Sequence, residues 1–345
     1  MRTATALSAA TGQPCHVFNI RQKRPEPGLA TQHLLGLRAL NQLCEGNIEG
    51  DFLGSQEIRF LPGRIKGGTY QVKIPTAGSI TLLLQLLVLP SLLAPKPVRI
   101  SFEGGGTDTS FSPTIDHFRF VFVKILEKLG AKIEINILKR GFYPKGGARV
   151  EAIIHSCPQL RSLILNQRGS LKTIQIISGA SDFLKERRVA ERQLEATLAV
   201  LKKELLFSGE DENRFLIKSG VEYYQTLNPG SQINLRAEYE QTILGVDRLG
   251  KRGKTAEQVG REAALDFLKE IQPRLDGEAC LDKFLADQIL PYLALAGKES
   301  QIMVSQISGH AQTNVWVIEK FIPGKFEIKD REIRWQPSQR TCTRH

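Results

Sequence analysis

The sequence predicts an internally duplicated α/β fold with a smaller α/β module inserted into it. Two observations carry this prediction. A glycine-containing turn, an apolar helix and paired strands recur in the same order before residue 156, although the residues themselves match poorly between units. From about Arg168 a long charged helix and new strands follow, and residues 273–277 mark the return. We therefore assign residues 1–167 and 278–345 to a large domain and residues 168–277 to an inserted one.

The composition is that of a folded globular protein, with 41% hydrophobic and 24% charged residues among 345. The net charge of +11 favours a polyanionic partner, nucleic acid or nucleotide, and would equally fit a cell whose proteins are generally basic. Five scattered cysteines without C-x-x-C spacing argue against a disulfide framework or a zinc site. No apolar run could span a bilayer and no secretory signal is evident, so we expect a cytoplasmic protein without a membrane partner. The sequence does not indicate an oligomeric state.

The first part of the chain alternates helices with strands. Residues 1–12 read as a helix that Gly12 and Pro14 stop, and residues 31–43 have one apolar face. Residues 80–93 and 114–129 are predicted as further helices, and 103–108 as a glycine-rich loop. The predicted strands are 16–20, 57–61, 70–74, 98–102, 132–138 and 148–155.

The second part begins with a predicted strand over 173–177 and a charged helix over 182–206, followed by strands over 221–226 and 232–240. Residues 248–254 read as a mobile loop. Thr255 and Gln258 form a capping box that opens a helix to Ile271. Residues 282–296 read as an apolar helix, the β-branched run 315–318 as a strand, and the polar tail 331–345 is expected to fray.

His310 is the first candidate for chemistry, because it precedes a predicted strand, where a sheet protein would place a reactive side chain. Gly309 lets other groups approach its ring, and Thr313 and Asn314 could orient a nucleophile or a phosphate. A lone histidine in this position is more often an ordinary surface residue. The rest of the chain must decide between the two interpretations.

Arginines and aromatic residues form further candidate sites. Arg2, Arg21 and Arg24 cluster around the first turn and suit phosphate oxygens, or they are solvated surface residues. The loop 140–147 combines two cations with two aromatic rings, which would suit nucleotide stacking, or it is an ordinary hairpin. Residues 104–108 could approach an anion at a helix start, although a tight turn explains these glycines nearly as well.

Several motifs, taken together and in order, resemble the RNA 3′-terminal phosphate cyclases. They cover nearly the whole chain: TGQP, IRxxRPxPGLxxQHL, GSQEIRFxPGxIxGGxY, TAGSxTLLLQ, GGTD, KRGFYPKGG, FLADQ and HAQTN. The resemblance implies a large domain of three repeated βαβαββ-type units that carries a smaller inserted α/β domain.

The resemblance also implies a reaction. A histidine at the position of His310 attacks the α-phosphate of ATP, which gives covalent histidine–AMP and pyrophosphate. AMP then passes to the 3′-phosphate of an RNA, the neighbouring 2′-hydroxyl attacks the activated RNA-pp-A end, and a 2′,3′-cyclic phosphate remains. The expected cofactors are therefore ATP and a divalent metal, Mg²⁺ or Mn²⁺, and the expected partner is an RNA with a 3′-phosphate end.

Residue roles follow from the same resemblance. Arg2, Arg21 and Arg24 match active-site arginines that bind the triphosphate or the RNA phosphate near His310. The expected nucleotide contacts are Gln85, Phe284, Leu285, Ala286, Asp287 and Gln288, with Asp287 contacting the base or ribose. For Gln32 and the turn 104–107 the match supports structure more than chemistry. No metal ligands are implied.

One departure and two alternatives accompany the resemblance. The family begins with a strand and a Glu-Gly-Gly-Gly-Gln turn before the residues that match Met1 and Arg2, so we expect either a longer reading frame or an inactive form with an open strand edge. A non-catalytic ribosome-assembly relative would lack the histidine that HAQTN keeps. An enolpyruvyl transferase would share the repeated architecture but need its own substrate-binding motif, which we do not find.

Overall fold

The computed structural model describes residues 1–207, 215–272 and 279–338, which form the expected α/β architecture. The helices are α1 Arg2–Thr11, α2 Thr31–Cys44, α3 Ile80–Leu92, α4 Ile115–His117, α5 Val123–Lys128, α6 Val189–Phe207, α7 Ala256–Ile271, α8 Lys283–Leu295 and α9 Gly309–Phe321. The strands are β1 Cys15–Val17, β2 Asn47–Glu49, β3 Ile58–Leu61, β4 Gly68–Ser79, β5 Val98–Gly106, β6 Ile133–Lys139, β7 Arg149–Ile154, β8 Ile164–Leu165, β9 Leu171–Ser181, β10 Leu216–Tyr224, β11 Ser231–Tyr239, β12 Ile243–Leu249, β13 Ser300–Met303, β14 Gly324–Lys329 and β15 Glu332–Pro337. None of these helices is long and apolar enough to cross a membrane.

Two four-stranded sheets share one topology, and the second lies beyond residue 156, where the residues alone did not indicate a repeat. In the order β4-β5-β7-β6 the first pair is parallel and the others are antiparallel. The order β8-β13-β15-β14 has the same pattern. A three-stranded sheet, β1-β3-β2, corresponds to the last three strands of that order. Within the described residues β1 therefore lies at an open edge.

The segment between β8 and α8 builds a fourth sheet of different topology. Its order is β10-β9-β11-β12, with β9 parallel to β10 and antiparallel to β11. Apolar side chains of this sheet pack with α6 and α7 into a second core, separate from the large one. The domain limits 168–277 stay a prediction, since residues 273–278 lie outside the described ranges.

The large core surrounds α3. This helix is apolar on nearly all sides because the repeated units enclose it, and its buried residues include Leu84 and Val88. Leu7 of α1 and Leu293 of α8 reach the same core. The core therefore ties the first helix of the chain to the helices near its end.

Several predicted elements were wrong. Residues 315–318 belong to helix α9, because a serine cap and helix packing override the β propensity of four residues. Residues 332–337 form β15, where Ile333 and Trp335 are buried, while residues 339–345 of the predicted tail lie outside the description. The glycine-rich residues 103–106 extend β5, residues 243–249 form β12, and α6 begins only at Val189.

Candidate active site

His310 lies exposed in the first turn of α9. The cap of this helix is Ser308, whose hydroxyl accepts hydrogen bonds from the backbone N–H groups of His310 at 3.1 Å and Ala311 at 3.0 Å. The positive end of the helix dipole favours an anion here. A phosphate can therefore reach the imidazole, and the electrostatic field at the start of α9 favours its negative charge.

Hydrogen bonds join three helices beside His310. The Ser308 hydroxyl donates to Oδ1 of Asp287 on α8 at 2.5 Å. The Asn314 side-chain amide donates to the Asp287 carbonyl at 2.7 Å, and Thr3 of α1 donates to Asn314 Oδ1 at 2.8 Å. Because His310 and Asn314 are four residues apart, they share one face of α9. The start of α1 therefore lies beside the face that carries the histidine.

Asp287 has an environment that changes its protonation. Desolvation raises the pKa of its carboxyl, and the Ser308 hydroxyl and His310 oppose that shift. The group is half-buried and faces the exposed imidazole. It can accept a hydrogen bond from a ligand hydroxyl or amine placed against His310.

Arg2 begins α1, directly before Thr3. Its side chain is exposed, yet desolvation lowers the pKa of the guanidinium. Both observations fit a cation inside a concave surface, where protein atoms surround it and solvent still reaches it. The bond between Thr3 and Asn314 places the first turn of α1, which carries this cation, beside α9.

The loop after β1 holds Arg21 in an unusual conformation. Its φ is +53°, and its guanidinium donates to the carbonyl of Gly28 at 3.0 Å. Gly28 has φ +82°, and a Cβ there would lie 2.0 Å from the Gly54 carbonyl oxygen, so this position requires glycine. Arg24 is exposed on the same turn, where its N–H donates to the Arg21 carbonyl at 2.9 Å.

His33, to which the sequence assigned no chemical role, joins this cationic cluster. Desolvation, followed by the charges of Arg21 and Arg2, lowers its pKa to about 4. Its Nδ1 accepts the N–H of Ala30 at 3.1 Å, which leaves the proton of the neutral ring on Nε2. A neutral donor therefore lies among arginines. Its position in the third residue of a helix after an arginine-rich loop was the available signal.

The predicted nucleotide contacts on α8 separate by burial. Leu285 and Ala286 are fully buried in the core, whereas Phe284 is 59% exposed. Gln288 is half-buried, and its Oε1 has no hydrogen-bond partner within the described part of the chain. Since that oxygen is a buried atom, the side chains open to a ligand are those of Phe284 and Asp287.

The remaining predicted residues lie outside this network. Gln85 is half-buried on α3, and neither its side chain nor that of Arg24 forms a hydrogen bond or ion pair with another described residue. Gln32 accepts the N–H of Ser79 at 3.3 Å, which supports the start of α3. Across residues 1–207, 215–272 and 279–338 no group of three His, Cys, Asp or Glu side chains could hold a metal ion.

Known proteins resemble this chain over nearly its whole length. The model of the family described as RNA 3′-terminal phosphate cyclase matches residues 1–328. A relative of that name from Pyrococcus furiosus is 42% identical over 329 residues, 95% of this chain and 91% of its own. One from Methanopyrus kandleri is 41% identical over 333 residues, 96% of this chain and 92% of its own.

A solved structure, the enolpyruvyl transferase NikO from Streptomyces tendae, covers 98% of this chain and 79% of its own with a TM-score of 0.24 and 8% identity. That similarity is too low to bear on fold or function. The family match and the two relatives, by contrast, span the region that holds the capped histidine, the carboxylate and the arginines. The chain therefore belongs to the RNA 3′-terminal phosphate cyclase family.

Proposed function

We propose that this chain converts an RNA 3′-phosphate to a 2′,3′-cyclic phosphate at the expense of ATP. The observation that carries the proposal is the exposed imidazole of His310 at the capped start of α9, with Asp287 and the helix that bears Arg2 tied beside it. Family membership and the names of its relatives support the same reaction.

The first step is nucleophilic attack by an imidazole nitrogen of His310 on the α-phosphorus of ATP. A nitrogen–phosphorus bond forms, the bond from the α-phosphorus to the bridging oxygen breaks, and pyrophosphate leaves. The helix N-terminus and the Arg2 guanidinium would stabilise the negative charge that develops on the phosphate oxygens. Such electrostatic stabilisation is usually the main contribution of an enzyme to phosphoryl transfer.

ATP fits the side chains that α8 presents. Phe284 offers an exposed aromatic face for the base, and Asp287 accepts from a hydroxyl or amine. A bound Mg²⁺ or Mn²⁺ would neutralise phosphate charge. Because the described residues contain no three-ligand cluster, phosphate oxygens and water would supply most of its ligands.

The later steps use the RNA end. A 3′-phosphate oxygen attacks the phosphorus of histidine–AMP, the nitrogen–phosphorus bond breaks, and RNA-pp-A forms. The 2′-hydroxyl then attacks the terminal RNA phosphorus and AMP leaves. We assign the RNA phosphate to Arg21 and Arg24, which project from one turn, and to the neutral Nε2–H of His33.

The covalent step can be tested with ATP labelled at the α-phosphate, in the presence of Mg²⁺. We expect label on the wild-type protein that is lost in acid and stable in alkali, as a phosphoramidate requires. His310→Ala should abolish it. His155→Ala is the matched control, since His155 pairs with Glu134 at 2.7 Å on another strand and should leave labelling unchanged. An unlabelled wild-type protein, or label that survives His310→Ala, would refute the covalent mechanism.

A further inference from the structure

Phe111 is fully exposed on the loop between β5 and α4. It has φ +64°, which is unfavourable for a residue with a large side chain. The loop is held by a hydrogen bond of 2.8 Å between the Thr109 and Ser112 hydroxyls and by one of 2.9 Å from the Ile115 N–H to the Thr107 carbonyl. Hydrogen bonds within the loop therefore keep an apolar ring exposed to solvent.

A second exposed ring lies on the loop that pairs with the first. Tyr143 is 74% exposed, and its neighbour Phe142 forms a β-bridge with Asp108. Asn228 fixes this loop at two points, since its amide donates to the Tyr143 carbonyl at 2.8 Å and its Oδ1 accepts the Lys145 N–H at 3.2 Å. Single exposed rings are common on protein surfaces, but these two lie on loops that pair with each other and are held by hydrogen bonds. We call Phe111 and Tyr143 the aromatic rim.

The two loops of the aromatic rim lie next to α3 and the strand end that leads into it. Thr81 of α3 donates to the Pro113 carbonyl in the Phe111 loop at 2.8 Å. Gln85 lies four residues after Thr81 and so on the same face of α3. On the other loop, a Cβ on Gly146 would lie 3.0 Å from the Cα of Ala77, near the end of β4. The Phe111 loop therefore contacts the helix that carries the predicted nucleotide contact Gln85, and the Tyr143 loop contacts the strand directly before it.

The charge around the aromatic rim suits a polyanion. Lys145 is exposed and forms no ion pair with a described residue. The carboxylates of the neighbouring segment, Asp108 and Asp116, are buried and paired with Arg140. Aromatic faces next to a free cation are the arrangement on which single-stranded nucleic acid stacks.

We propose that the aromatic rim binds the single-stranded RNA that leads to the reacting 3′ end, with unpaired bases stacked on Phe111 and Tyr143 and a phosphate near Lys145. This rests on the proposed function only in naming RNA as the substrate. The rim would select ends with a few unpaired nucleotides over fully base-paired ends, because a paired base cannot expose its face to a side chain.

The test is direct binding of a short single-stranded oligoribonucleotide with a 3′-phosphate, measured by fluorescence anisotropy in the His310→Ala background. Phe111→Ala should weaken binding by about tenfold, the usual loss for one stacked base. Phe111→Trp should retain affinity, whereas Phe111→Leu should not, because a ring and not apolarity is needed. Leu265→Ala removes another exposed apolar side chain, on α7, and should leave binding unchanged.

Lys145→Ala should lower the slope of log affinity against log salt by about 0.7, the value for one phosphate contact with a single strand. Unchanged RNA affinity in Phe111→Ala and Tyr143→Ala would overturn the proposal. The same two substitutions can be made in a protein that retains His310. If they impair labelling by ATP but leave RNA affinity unchanged, the proposal is also overturned, because the rings would then contact the adenine. If the two variants bind RNA more weakly and ATP does not label His310 in the wild-type protein, the result supports the role of the aromatic rim and refutes the covalent mechanism.

Discussion

At the scale of single residues, the site depends on neighbours more than on the histidine itself. Ser308 caps α9 and at the same time donates to Asp287, so one hydroxyl sets the position of His310 and of the carboxylate. His33 shows the same dependence, since its neutral state follows from burial and two nearby arginines. The chemistry of each side chain is therefore a property of the cluster.

The pH dependence of stability tests the environment of His33. Its pKa is about 4 in the folded chain and 6.5 in an unperturbed one. Between these values the unfolded chain binds a proton that the folded chain does not, so the free energy of unfolding should fall as pH drops from about 6.5 to about 4. Above 6.5 this residue contributes no pH dependence. Denaturant unfolding at a series of pH values measures the effect.

His33→Gln removes this titration and should lose less stability than the wild type over the same pH window. His155→Gln, which changes a histidine outside the cationic cluster, serves as the control. Wild-type and His33→Gln profiles that stay parallel from pH 7 to 4 would contradict the assigned environment.

At the scale of elements, the loop between β1 and α2 carries Arg21 and Arg24, the cations that we propose bind the RNA phosphate. It is anchored by backbone bonds from Ile20 to Gln56 at 3.0 Å and from Leu29 to Ser55 at 2.9 Å. The backbones of Gly28 and Gly54 pass close to each other, and this contact orients the Gly28 carbonyl that accepts a hydrogen bond from Arg21. The loop is thus a rigid element that presents its arginines.

Gly28→Ala should disrupt this loop, because the new Cβ collides with the Gly54 carbonyl and the positive φ is unfavourable. We expect a loss of more than about 1 kcal/mol in the free energy of unfolding and slower transfer of AMP to RNA. Gly54→Ala is the matched control, since its φ is +78° with nothing within 4 Å of the added Cβ, and it should cost only the φ strain. Equal effects of the two substitutions in unfolding and transfer assays would show that the contact between Gly28 and Gly54 does not position Arg21.

At the scale of the whole molecule, a buried polar network attaches the sheet of the inserted segment to the repeated units. Arg140 is 5% exposed and binds Asp116 at 2.7 Å, while its guanidinium lies 4.3 Å from the centre of the Tyr224 ring. Thr114, at the start of α4, donates to Asn234 of β11 at 2.7 Å. These contacts attach the inserted sheet to the start of α4 and to the residue that precedes the Tyr143 loop.

Arg140→Met should destabilise the protein by about 3–5 kcal/mol, because it leaves the buried carboxylate of Asp108 without a cation and leaves Asp116 with Arg119 alone. Burial already raises the pKa of Asp108 even with Arg140 beside it. The control is Lys66→Met, which breaks an exposed pair with Glu45 and should cost no more than about 1 kcal/mol. Denaturant unfolding compares them, and similar losses for both variants would contradict a structural role for the buried network.

Local patterns in the sequence predicted much of the fold. Helices α1, α2, α3, α7 and α8 follow the predicted ranges closely, because apolar periodicity, caps and glycine stops act within a few residues. The capping box of Thr255 and Gln258 is present. The failures, α9 and β15, are segments whose state depends on distant partners: α9 packs against α1 and α8, and β15 pairs with β13 and β14.

The sequence by itself determined the α/β class, the repeat, the family motifs and the identity of the candidate nucleophile, since these are written in residue type and spacing. Only the tertiary structure decided that His310 starts a helix, that Ser308 joins it to Asp287, and that His33 is neutral between arginines. The physical reason is separation along the chain. The bond between Thr3 and Asn314 connects residues 311 positions apart, and burial that shifts a pKa exists only when such segments meet.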